Sequence, residues 1–429
     1  MLKDIIGTIG SRYVVAFLNL LLIFINSKVL GRDGMGVVGV IYASANIAVI
    51  FNSILCGNTI VYFMNRYNIR YVFYPAYIWA FAGSIIACSA MYFLNILPEG
   101  YEMAVFGLAI LISVVTANSL MLLAKDNVKG FNMVYIIQGI LTFAILICIY
   151  YIAGYSNIDG YLAGLFIAYI VAYLYSFILL FPHLLEKERF PAGASFFAVL
   201  KEMLLYGIWS GADNLAEGLA TRLNYFIVQS TGGYGNVGLL DSGTKMSESV
   251  WHISNSVSYI EYNHVSKTTN RQEQKRITLQ LFKLTYCALI TVMAMVVCVP
   301  EWIFTEYLFT PEFAGIRDVI VGLSFGIVAF GSNRILSHYF IGSGHIKYST
   351  FCSLLGLAVL LVAGFIMIPA YGVFGAAVTS SVAYTCMLIF SMTVFMKQTE
   401  TSLREFLLSK DDVNEFKNKV VNKFFRKKG

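Results

Sequence analysis

Long apolar runs alternate along this chain with short stretches that contain charged residues, glycine or proline. Because a helix that crosses a bilayer needs about 20 mostly apolar residues, each run predicts one transmembrane helix. The predicted spans are residues 9–30, 37–62, 72–97, 104–124, 133–153, 161–182, 204–229, 236–262, 278–298, 318–342, 347–369 and 372–396. The connections are too short for a separate soluble domain, so the pattern predicts an all-α polytopic membrane protein of about twelve helices.

The amino-acid composition is typical of a membrane protein. Hydrophobic residues make up 58% of the 429 residues and charged residues 13%, whereas soluble chains carry roughly 45–50% and about 25%. No small-residue cleavage motif follows the first apolar run, Tyr13 to Asn26, so we expect an uncleaved first span. The seven cysteines lie in or beside apolar runs without CxxC or Cys/His clusters, so neither a disulfide framework nor a zinc site is expected.

The distribution of cations between the loops predicts the orientation, because short loops rich in Lys and Arg stay on the cytoplasmic side. With a cytoplasmic N-terminus, the inner loops contain Arg66, Arg70, Lys125, Lys129, Lys187, Arg189, Lys201, Lys267, Arg271, Lys275, Arg276 and Lys347. The outer loops contain only Arg32 and Arg317, beside several acids. This alternation runs through every loop and predicts that both termini are cytoplasmic.

Two glycine motifs indicate an internal repeat. Gly34-Met-Gly36-Val-Val-Gly39 precedes span two, and Gly233-Tyr-Gly235-Asn-Val-Gly238 precedes span eight, an offset of 199 residues (233 minus 34). The repeat predicts two six-helix halves, residues 1–200 and 201–397, related by a pseudo-twofold axis along the membrane normal. Neither motif follows a β-strand, so both indicate tight turns and close helix packing rather than a dinucleotide site.

Span eight carries a stripe of six polar residues spaced alternately by four and three positions, which places them on one helical face. They are Asp241, Lys245, Glu248, His252, Asn255 and Tyr259. An ionisable side chain at mid-bilayer costs about 2.5–3.5 kcal/mol on insertion scales. The stripe is therefore expected to adjoin a wet cavity or a partner helix rather than lipid.

Four other spans also carry polar residues at apolar depth. They are Arg12, Asn19 and Asn26 in span one, Tyr42, Asn46 and Ser53 in span two, Asp213, Glu217, Arg222 and Asn224 in span seven, and Asn333, Arg334 and His338 in span ten. The offset of 199 maps Tyr42, Asn46 and Ser53 onto Asp241, Lys245 and His252. Together these residues predict a water-filled central cavity between the two halves. The open alternative is that the charged residues only form internal ion pairs, and that the two histidines are ordinary satisfied interior residues.

A basic tail, residues 398–429, follows the last span. Nine of the thirty Lys and Arg lie between Lys397 and Lys428 and contribute to the net charge of +6. Cations beside a membrane span indicate contact with the membrane surface, so nucleic acid is not expected as a partner. Apolar residues among these cations favour an amphipathic helix on the inner leaflet, with a solvated tail as the alternative.

Three turn motifs carry a family resemblance. They are Leu30-Gly31-Arg-Asp-Gly34-Met-Gly36, Gly233-Tyr-Gly235-Asn-Val-Gly238 and Ala370-Tyr371-Gly-Val-Phe-Gly375-Ala-Ala. The chain resembles bacterial polysaccharide-repeat-unit flippases of the Wzx type, in the superfamily that includes multidrug and toxic-compound (MATE) extruders and the lipid II flippase. The resemblance implies a MATE-like, V-shaped fold that moves between inward-open and outward-open states.

The resemblance also implies a function, which is not that of an enzyme. It implies a transporter in the bacterial cytoplasmic membrane that flips an undecaprenyl-pyrophosphate-linked oligosaccharide to the outer leaflet, with no cofactor and with coupling to Na⁺ or H⁺. Membrane lipids and other polysaccharide-assembly membrane proteins are the further partners it implies. The substrate-binding candidates are Arg12, Asn19, Asn46, Arg222, Asn224, Lys245, His252, Asn255 and Arg334, and Ser11-Arg12 resembles the Ser-Arg pair of lipid II flippases. The ion-coupling candidates are Asp213, Glu217, Asp241 and Glu248.

Alternative functions remain open at this stage. Four acids among the cations leave the charge of the substrate undecided, and a multidrug or metabolite extruder would share the same helices. A membrane-bound glycan polymerase, ligase or transferase is disfavoured, because the longest outer loop, Pro300 to Arg317, is too short to shape an active site. A structural scaffold does not explain the polar stripe of span eight.

Overall fold

The computed structural model describes residues 2–64, 66–185, 195–265, 268 and 270–407, without the side chains of residues 2–13, 58, 209–210, 259–260 and 263. Within these ranges all regular structure is helical. The α-helices are α1 Leu2–Cys56, α2 Asn58–Met64, α3 Ile69–Phe93, α4 Glu102–Ala124, α5 Val128–Ile147, α6 Ile158–Leu185, α7 Phe196–Glu248, α8 Trp251–Val265, α9 Arg271–Val297, α10 Ile316–Gly342 and α11 Ile346–Thr399. Short π-helical turns lie at Cys148–Ile152 and Ile303–Leu308, and short 3₁₀ turns lie at Pro311–Phe313 and Leu403–Phe406.

Three of these helices reverse direction at a glycine. Gly31 in α1, Gly233 in α7 and Gly372 in α11 have φ values of 68°, 72° and 57°, in the left-handed region that glycine adopts without steric cost. Each therefore contains two arms, which we name the first arm and the second arm in chain order. Each arm counts as one span, except that the second arm of α1 forms a single span with α2, and the second arm of α7 forms a single span with α8. Counted in this way, the described helices provide twelve spans, as the sequence predicts.

Eight described helices are long and apolar enough to cross a membrane, and the segments Val14–Met64 and Ile346–Thr399 each contribute two spans. α7 and α8 are not among the eight, although they form spans seven and eight. Their polar residues explain this, because the two helices carry the charged residues of the predicted cavity. Such spans are stable in a bilayer only when their polar faces are covered by protein or water.

The two halves meet in a close crossing of the second arms of α1 and α7. A Cβ atom on Gly36 would lie 1.8 Å from the carbonyl oxygen of Tyr234, and one on Gly238 would lie 2.0 Å from the carbonyl oxygen of Arg32. The two contacts are equivalent, because Gly36 corresponds to Gly238 and Arg32 corresponds to Tyr234, each pair being 202 residues apart (238 minus 36, and 234 minus 32). The pseudo-twofold axis therefore passes between these glycines.

The offset of 199 predicted from the glycine motifs is wrong by three residues. The two turn glycines that share the same backbone conformation are Gly31 and Gly233, which are 202 residues apart. At this offset Asn46 corresponds to Glu248 rather than to Lys245. The error arises because the first motif begins three residues after its turn glycine, whereas the second motif begins at the turn glycine itself.

A second close seam joins the second arm of α1 to the first arm of α7. A Cβ atom on Gly207 would lie 2.0 Å from the carbonyl oxygen of Ile54, and one on Gly218 would lie 2.2 Å from the side chain of Ile50. Lipid tails are as apolar as leucine, so helices in a bilayer associate through close packing and hydrogen bonds rather than through the hydrophobic effect. Small residues at this seam allow that packing.

The start of the basic tail is attached to the helices. Glu405 in the 3₁₀ turn Leu403–Phe406 pairs with Lys275 of α9 at 2.9 Å. Phe406 packs edge-on against Phe282 of α9 with ring centroids 5.2 Å apart. The remainder of the predicted amphipathic segment, residues 408–429, lies outside the described residues.

Candidate substrate cavity

Span eight is interrupted in its middle. α7 ends at Glu248 and α8 begins at Trp251, and the turn between them is closed by hydrogen bonds from the Val250 N–H to the Ser247 carbonyl (3.2 Å) and from the His252 N–H to the Ser249 carbonyl (3.3 Å). Irregular backbone at membrane depth is tolerated where it is buried in protein or lines a water-filled cavity. Glu248, Ser249 and Trp251 at the break line a cavity.

The cavity has a volume of about 470 Å³ and lies between the two halves. Its N-terminal wall presents uncharged polar residues from α1, α5 and α6, namely Asn19, Asn26, Gln138, Thr142, Tyr161 and Tyr169. Its C-terminal wall presents Lys245, Glu248, Ser249, Trp251, His252 and Asn255. Four of the six stripe residues thus line the cavity, as predicted. The two walls differ in kind, because the formal charges belong to the C-terminal wall.

Six of the charged candidates form three ion pairs. Arg222 makes a bidentate contact with Glu248, at 2.9 and 2.7 Å, and links spans seven and eight beside the helix break. Lys245 pairs with Asp241 at 2.7 Å within span eight. The third pair joins Arg334 of α10 to Glu217 of α7 at 3.1 Å.

Arg334 also connects its ion pair to the cavity. Its guanidinium donates a hydrogen bond to the side-chain oxygen of Asn255, which lines the cavity. It also lies 5.2 Å from the ring centroid of Phe330 and 5.6 Å from that of Trp251. The ion pairing that the sequence left as an alternative is therefore present, and it coexists with the cavity.

Asp213 differs from the other three candidate acids. Its carboxylate accepts hydrogen bonds from Ser353 at 2.7 Å and from Ser349 at 2.9 Å, both on the first arm of α11. Among the described side chains no Lys or Arg pairs with it. The described charged candidates are thus three cations and four acids. Each cation pairs with one acid, and Asp213 is the acid that does not pair with a Lys or Arg among them.

Some predicted site residues lie elsewhere. The buried amide of Asn224 donates to the Ala376 carbonyl (3.0 Å) and to Ser380 (2.8 Å), and so joins α7 to the second arm of α11. Asn46 is half-buried in α1 and is not among the described residues that line the cavity. The side chain of Arg12 lies outside the described residues.

The N-terminal wall contains residues that the sequence analysis missed. Gln138 and Thr142 of α5 are one helical turn apart, and the Gln138 amide donates to the Thr142 hydroxyl at 3.1 Å. Their four-residue spacing places both on one helical face and could have indicated a polar contact. Two uncharged residues in an otherwise apolar run are, however, too few to predict a polar stripe. Tyr161 and Tyr169 of α6 are among 28 tyrosines, and nothing in their local sequence distinguishes them.

The cavity occupies one of two symmetry-related seams. Ile50 and Gly218 are in close contact. The pseudo-twofold axis relates Ile50 to His252 (50 plus 202) and Gly218 to Ala16 (218 minus 202). Ala16 and His252 both line the cavity. The seam between the second arm of α1 and the first arm of α7 is closed there, whereas its counterpart between the first arm of α1 and α8 is part of the cavity.

The end of the bundle that carries the Gly31 and Gly233 turns, here called the turn end, is fastened across the two halves. Arg32 donates to the Gly235 carbonyl (2.8 Å) and the Asn236 side chain (2.7 Å), and its backbone N–H donates to Glu312 (3.1 Å). Lys28 donates to the Tyr307 carbonyl at 2.8 Å. These contacts and the Gly36 crossing close the turn end.

Among the described residues, no cluster of three or more His, Cys, Asp or Glu side chains is arranged to hold a metal ion. The cavity therefore offers hydrogen-bonding groups, aromatic rings and ion pairs to a bound molecule. Its lining is suited to hold a polar solute.

Comparison with known structures defines the fold class. The chain has the fold of transporters of the MOP superfamily. No protein-family model matches the sequence, and no curated protein is significantly similar to it.

Three solved structures illustrate the likeness. An inward-facing multidrug resistance MATE family transporter of this superfamily matches with a TM-score of 0.70 and 13% identity, over 90% of this chain and 94% of its own. The lipid II flippase MurJ in an inward closed conformation matches with a TM-score of 0.68 and 13% identity, over 95% and 89%. An outward-facing MATE family transporter matches with a TM-score of 0.56 and 15% identity, over 94% and 96%.

Proposed function

We propose that this protein is a transporter that flips a polyprenyl-pyrophosphate-linked oligosaccharide from the cytoplasmic to the outer leaflet by alternating access. The observation that carries the proposal is the polar cavity between the two halves, which is closed at the turn end by the Gly36 crossing and the Arg32 contacts. The fold shared with a lipid flippase and with multidrug transporters supports the transport mechanism.

The proposal includes an orientation. The turn end faces outward, both termini are cytoplasmic, and the protein resides in the bacterial cytoplasmic membrane, because the loops at the opposite end carry the cations. We name that opposite end the cation end. In this orientation the present structure is closed to the outside, which agrees with its higher TM-score to an inward-facing than to an outward-facing transporter.

The cavity walls suit the two parts of a glycolipid head group. Asn19, Gln138 and the tyrosines of the N-terminal wall offer hydrogen bonds and aromatic faces to uncharged sugars. Lys245 and Arg222 lie on the charged side, where the pyrophosphate would compete with Asp241 and Glu248 for them. His252, Asn255 and Arg334 extend that side, and Arg12 and Asn46 remain candidates on the N-terminal half.

The lipid tail requires a route outside the cavity. A volume of about 470 Å³ lies within the roughly 300–1,000 Å³ range of small-ligand pockets, so it accommodates part of a head group but not a polyprenyl chain. The seam between the first arm of α1 and α8, where Ala16 and His252 line the cavity, supplies that route. The tail would remain in the bilayer while the head group crosses.

Ion coupling is assigned to the cavity acids, with Asp213 as the leading candidate for H⁺ or Na⁺. Glu217, Asp241 and Glu248 each neutralise a cation, so a change in their charge would break an ion pair. Asp213 is held by two serine hydroxyls and changes its charge without that cost. Coupling through Asp213 therefore leaves the three ion pairs intact.

The test is to block the cavity. Asn19→Trp places a large ring in the N-terminal wall, and Val14→Trp places the same ring on an exposed position of the same helix. In the source organism lacking the gene, radiolabelled lipid-linked oligosaccharide should accumulate on the inner leaflet, measured by periodate accessibility in spheroplasts and inverted vesicles. Wild type and Val14→Trp should restore outer-leaflet labelling, and Asn19→Trp should not. Normal outer-leaflet labelling without the gene would refute the proposal.

A multidrug or metabolite extruder is the second candidate. The observation that favours it is the excess of one acid over the paired cations among the described candidates, which suits a cationic solute. If this function holds, loss of the gene would increase sensitivity to lipophilic cations, and Asn19→Trp would fail to restore resistance. Lipid-linked oligosaccharide would then be distributed normally.

A further inference from the structure

Span eight carries a further ionisable residue near its cytoplasmic end, Glu261 of α8, which does not belong to the stripe. Counting 100° per residue from His252, Glu261 lies about 180° away around the helix. It therefore points away from the cavity and into the C-terminal half. Its side chain is completely buried, with an exposed fraction of 0%.

The surroundings of Glu261 do not include an ion-pair partner among the described residues. The polar group beside its carboxyl is the hydroxyl of Thr278 on α9, which is also completely buried, and the two approach without a well-formed hydrogen bond. Tyr339 of α10 lies close enough to interact electrostatically with Glu261 and with Arg271 of α9. Arg271 itself is exposed at the start of its helix.

The packing around Glu261 is dry. Val265, one turn further along α8, belongs to an apolar cluster with Leu279 of α9 and Phe340 of α10. The Gln274 amide seals the end of the helix by donating to the carbonyls of Val265 (3.0 Å) and Thr268 (2.8 Å). An ionised carboxylate in such a place would lose its hydration without compensation, a cost of several kcal/mol per ion.

We propose that Glu261 is a proton-binding site of the C-terminal half, protonated while the turn end is closed and ionised when α8 moves away from α9 and α10. The proton binds to a carboxyl oxygen and returns to water at the cation end, which is about one helical turn beyond Glu261. This site is separate from Asp213 and does not depend on the identity of the cargo.

The helix break supplies the mechanical link to the cavity. α8 begins after the turn at Ser249 and Val250, so its fifteen residues are able to move without the second arm of α7. The same segment carries Trp251, His252 and Asn255 on the cavity wall and Glu261 on the opposite face. A solute that displaces α8 would expose Glu261 to water, and protonation of Glu261 would favour the return of α8 to its packed position.

A proton fits this site better than a metal cation does. Hard cations in proteins are bound by several oxygen ligands. Among the described residues, the oxygens brought together here are those of Glu261 and Thr278, which are too few for such a cation, whereas a proton requires one oxygen. The opposite assignment, a sodium site, predicts a dependence on sodium concentration at fixed pH.

The first test detects the proton directly. Infrared difference spectra of the full chain in lipid nanodiscs, recorded between acidic and alkaline pH, should contain the carbonyl stretch of a protonated carboxylic acid that is lost in Glu261→Gln and kept in Asp213→Asn. Glu261→Gln is neutral and of the same shape, so it should fold with wild-type thermal stability. A band that is unchanged by Glu261→Gln would overturn the proposal.

The second test measures the conformational consequence. Spin labels at the exposed positions Lys129 of α5 and His264 of α8, in a background without the seven native cysteines, report the distance across the cation end. In wild type the distance distribution should shift with pH, and Glu261→Gln should hold the acid-pH distribution throughout. Glu202→Gln, an exposed acid at the same end, should behave as wild type. Three results would refute the proposal that Glu261 binds the proton. The distance could shift equally with pH in Glu261→Gln and wild type, it could fail to shift with pH in wild type, or it could respond to sodium alone.

Discussion

The Arg222–Glu248 pair joins the two central spans of the C-terminal half beside the helix break. Its side chains are 23% and 13% exposed, so both charges are largely removed from bulk water. The Coulomb attraction between buried charges roughly repays the loss of hydration, but removal of one partner leaves an uncompensated charge. The pair is therefore expected to contribute more to the arrangement of the helices than to net stability.

This expectation yields a double-mutant prediction. Arg222→Met or Glu248→Met alone should destabilise the protein by about 3 kcal/mol, at the lower end of the range for buried pairs because the cavity admits some water. The double substitution should cost less than either single one. Thermal unfolding in detergent measures the effect. The pair of Lys275 and Glu405 is the control, because its carboxylate is 41% exposed and the coupling should be about 0–1 kcal/mol.

At the scale of elements, glycines determine how closely α1 and α7 approach. Gly207 and Gly211 both face Ile54, but a Cβ atom on Gly207 would lie 2.0 Å from a backbone oxygen, whereas one on Gly211 would lie 3.1 Å from a side-chain carbon. Backbone atoms can yield only if a whole helix moves. The two positions therefore form a matched pair in one helix.

Gly207→Ala should separate the helices and destabilise the protein by about 1–3 kcal/mol, the usual cost of overpacking. Gly211→Ala should change stability by less than about 1 kcal/mol, because the Ile54 side chain is able to rotate away. Thermal unfolding of the two variants in the same lipid or detergent checks the difference. Equal losses would show that the seam is not as tight as the distances indicate.

The 3₁₀ turn Leu403–Phe406 is held by a pH-sensitive contact. The carboxylate of Glu405 accepts a hydrogen bond from the Ser402 backbone N–H at 2.8 Å and pairs with Lys275, and both contacts lower the pKa of Glu405. A carboxyl whose pKa is lowered by folding stabilises the folded segment above its ordinary pKa of about 4.3. That stabilisation is lost as the pH falls through the lowered pKa.

The hydrogen-exchange protection factors of residues 403–406, which correct for the intrinsic slowing of amide exchange in acid, should therefore fall on acidification in wild type. Glu405→Gln should exchange faster at neutral pH and lack the acid-dependent step. Glu400→Gln, a neighbouring carboxyl change, should retain the wild-type profile. An acid step that persists in Glu405→Gln would assign the sensitivity to another group.

The interruption of span eight illustrates what the sequence cannot predict at this scale. No glycine or proline lies between Glu248 and Trp251, so no local signal ends the helix there. The polar stripe runs through the break with an unchanged spacing, and four of its six residues line the cavity. The position of Glu261 on the opposite face follows from the same helical arithmetic, but its burial depends on α9 and α10, which the local sequence does not reveal.

At the scale of the whole molecule, the number of spans and the charge alternation were readable because the bilayer sets the length of each helix. The relation between the halves was predicted with the wrong register, since the glycine motifs are placed differently relative to Gly31 and Gly233. The uncharged wall of the cavity was predicted only in part. Asn19 and Asn26 were candidates, but Gln138 and Tyr161 were not, because these two acquire their meaning only from the packing of α5 and α6 against α1.

Closure of the turn end depends on few contacts outside the glycine crossing. Arg32 supplies four hydrogen bonds, to Gly235, to Asn236 and, through its backbone N–H and its guanidinium, to Glu312, and all four join the N-terminal half to the C-terminal half. Arg70 is a suitable comparison, because it is an exposed arginine whose side chain donates to the Leu184 carbonyl within the N-terminal half. Loss of Arg32 should therefore affect the equilibrium between states, and loss of Arg70 should not.

Arg32→Ala should increase the population of molecules open at the turn end about fivefold, because side-chain hydrogen bonds worth about 1 kcal/mol in sum correspond to roughly that factor. Spin labels at the exposed positions Tyr155 and Tyr371, one in each half, measure the distance across this end. Arg70→Ala should leave the distribution unchanged. Since Arg32 contacts Glu312 through its backbone N–H as well, Glu312→Gln should give a smaller shift in the same direction. If neither variant lengthens the distance, the glycine crossing alone holds the turn end closed.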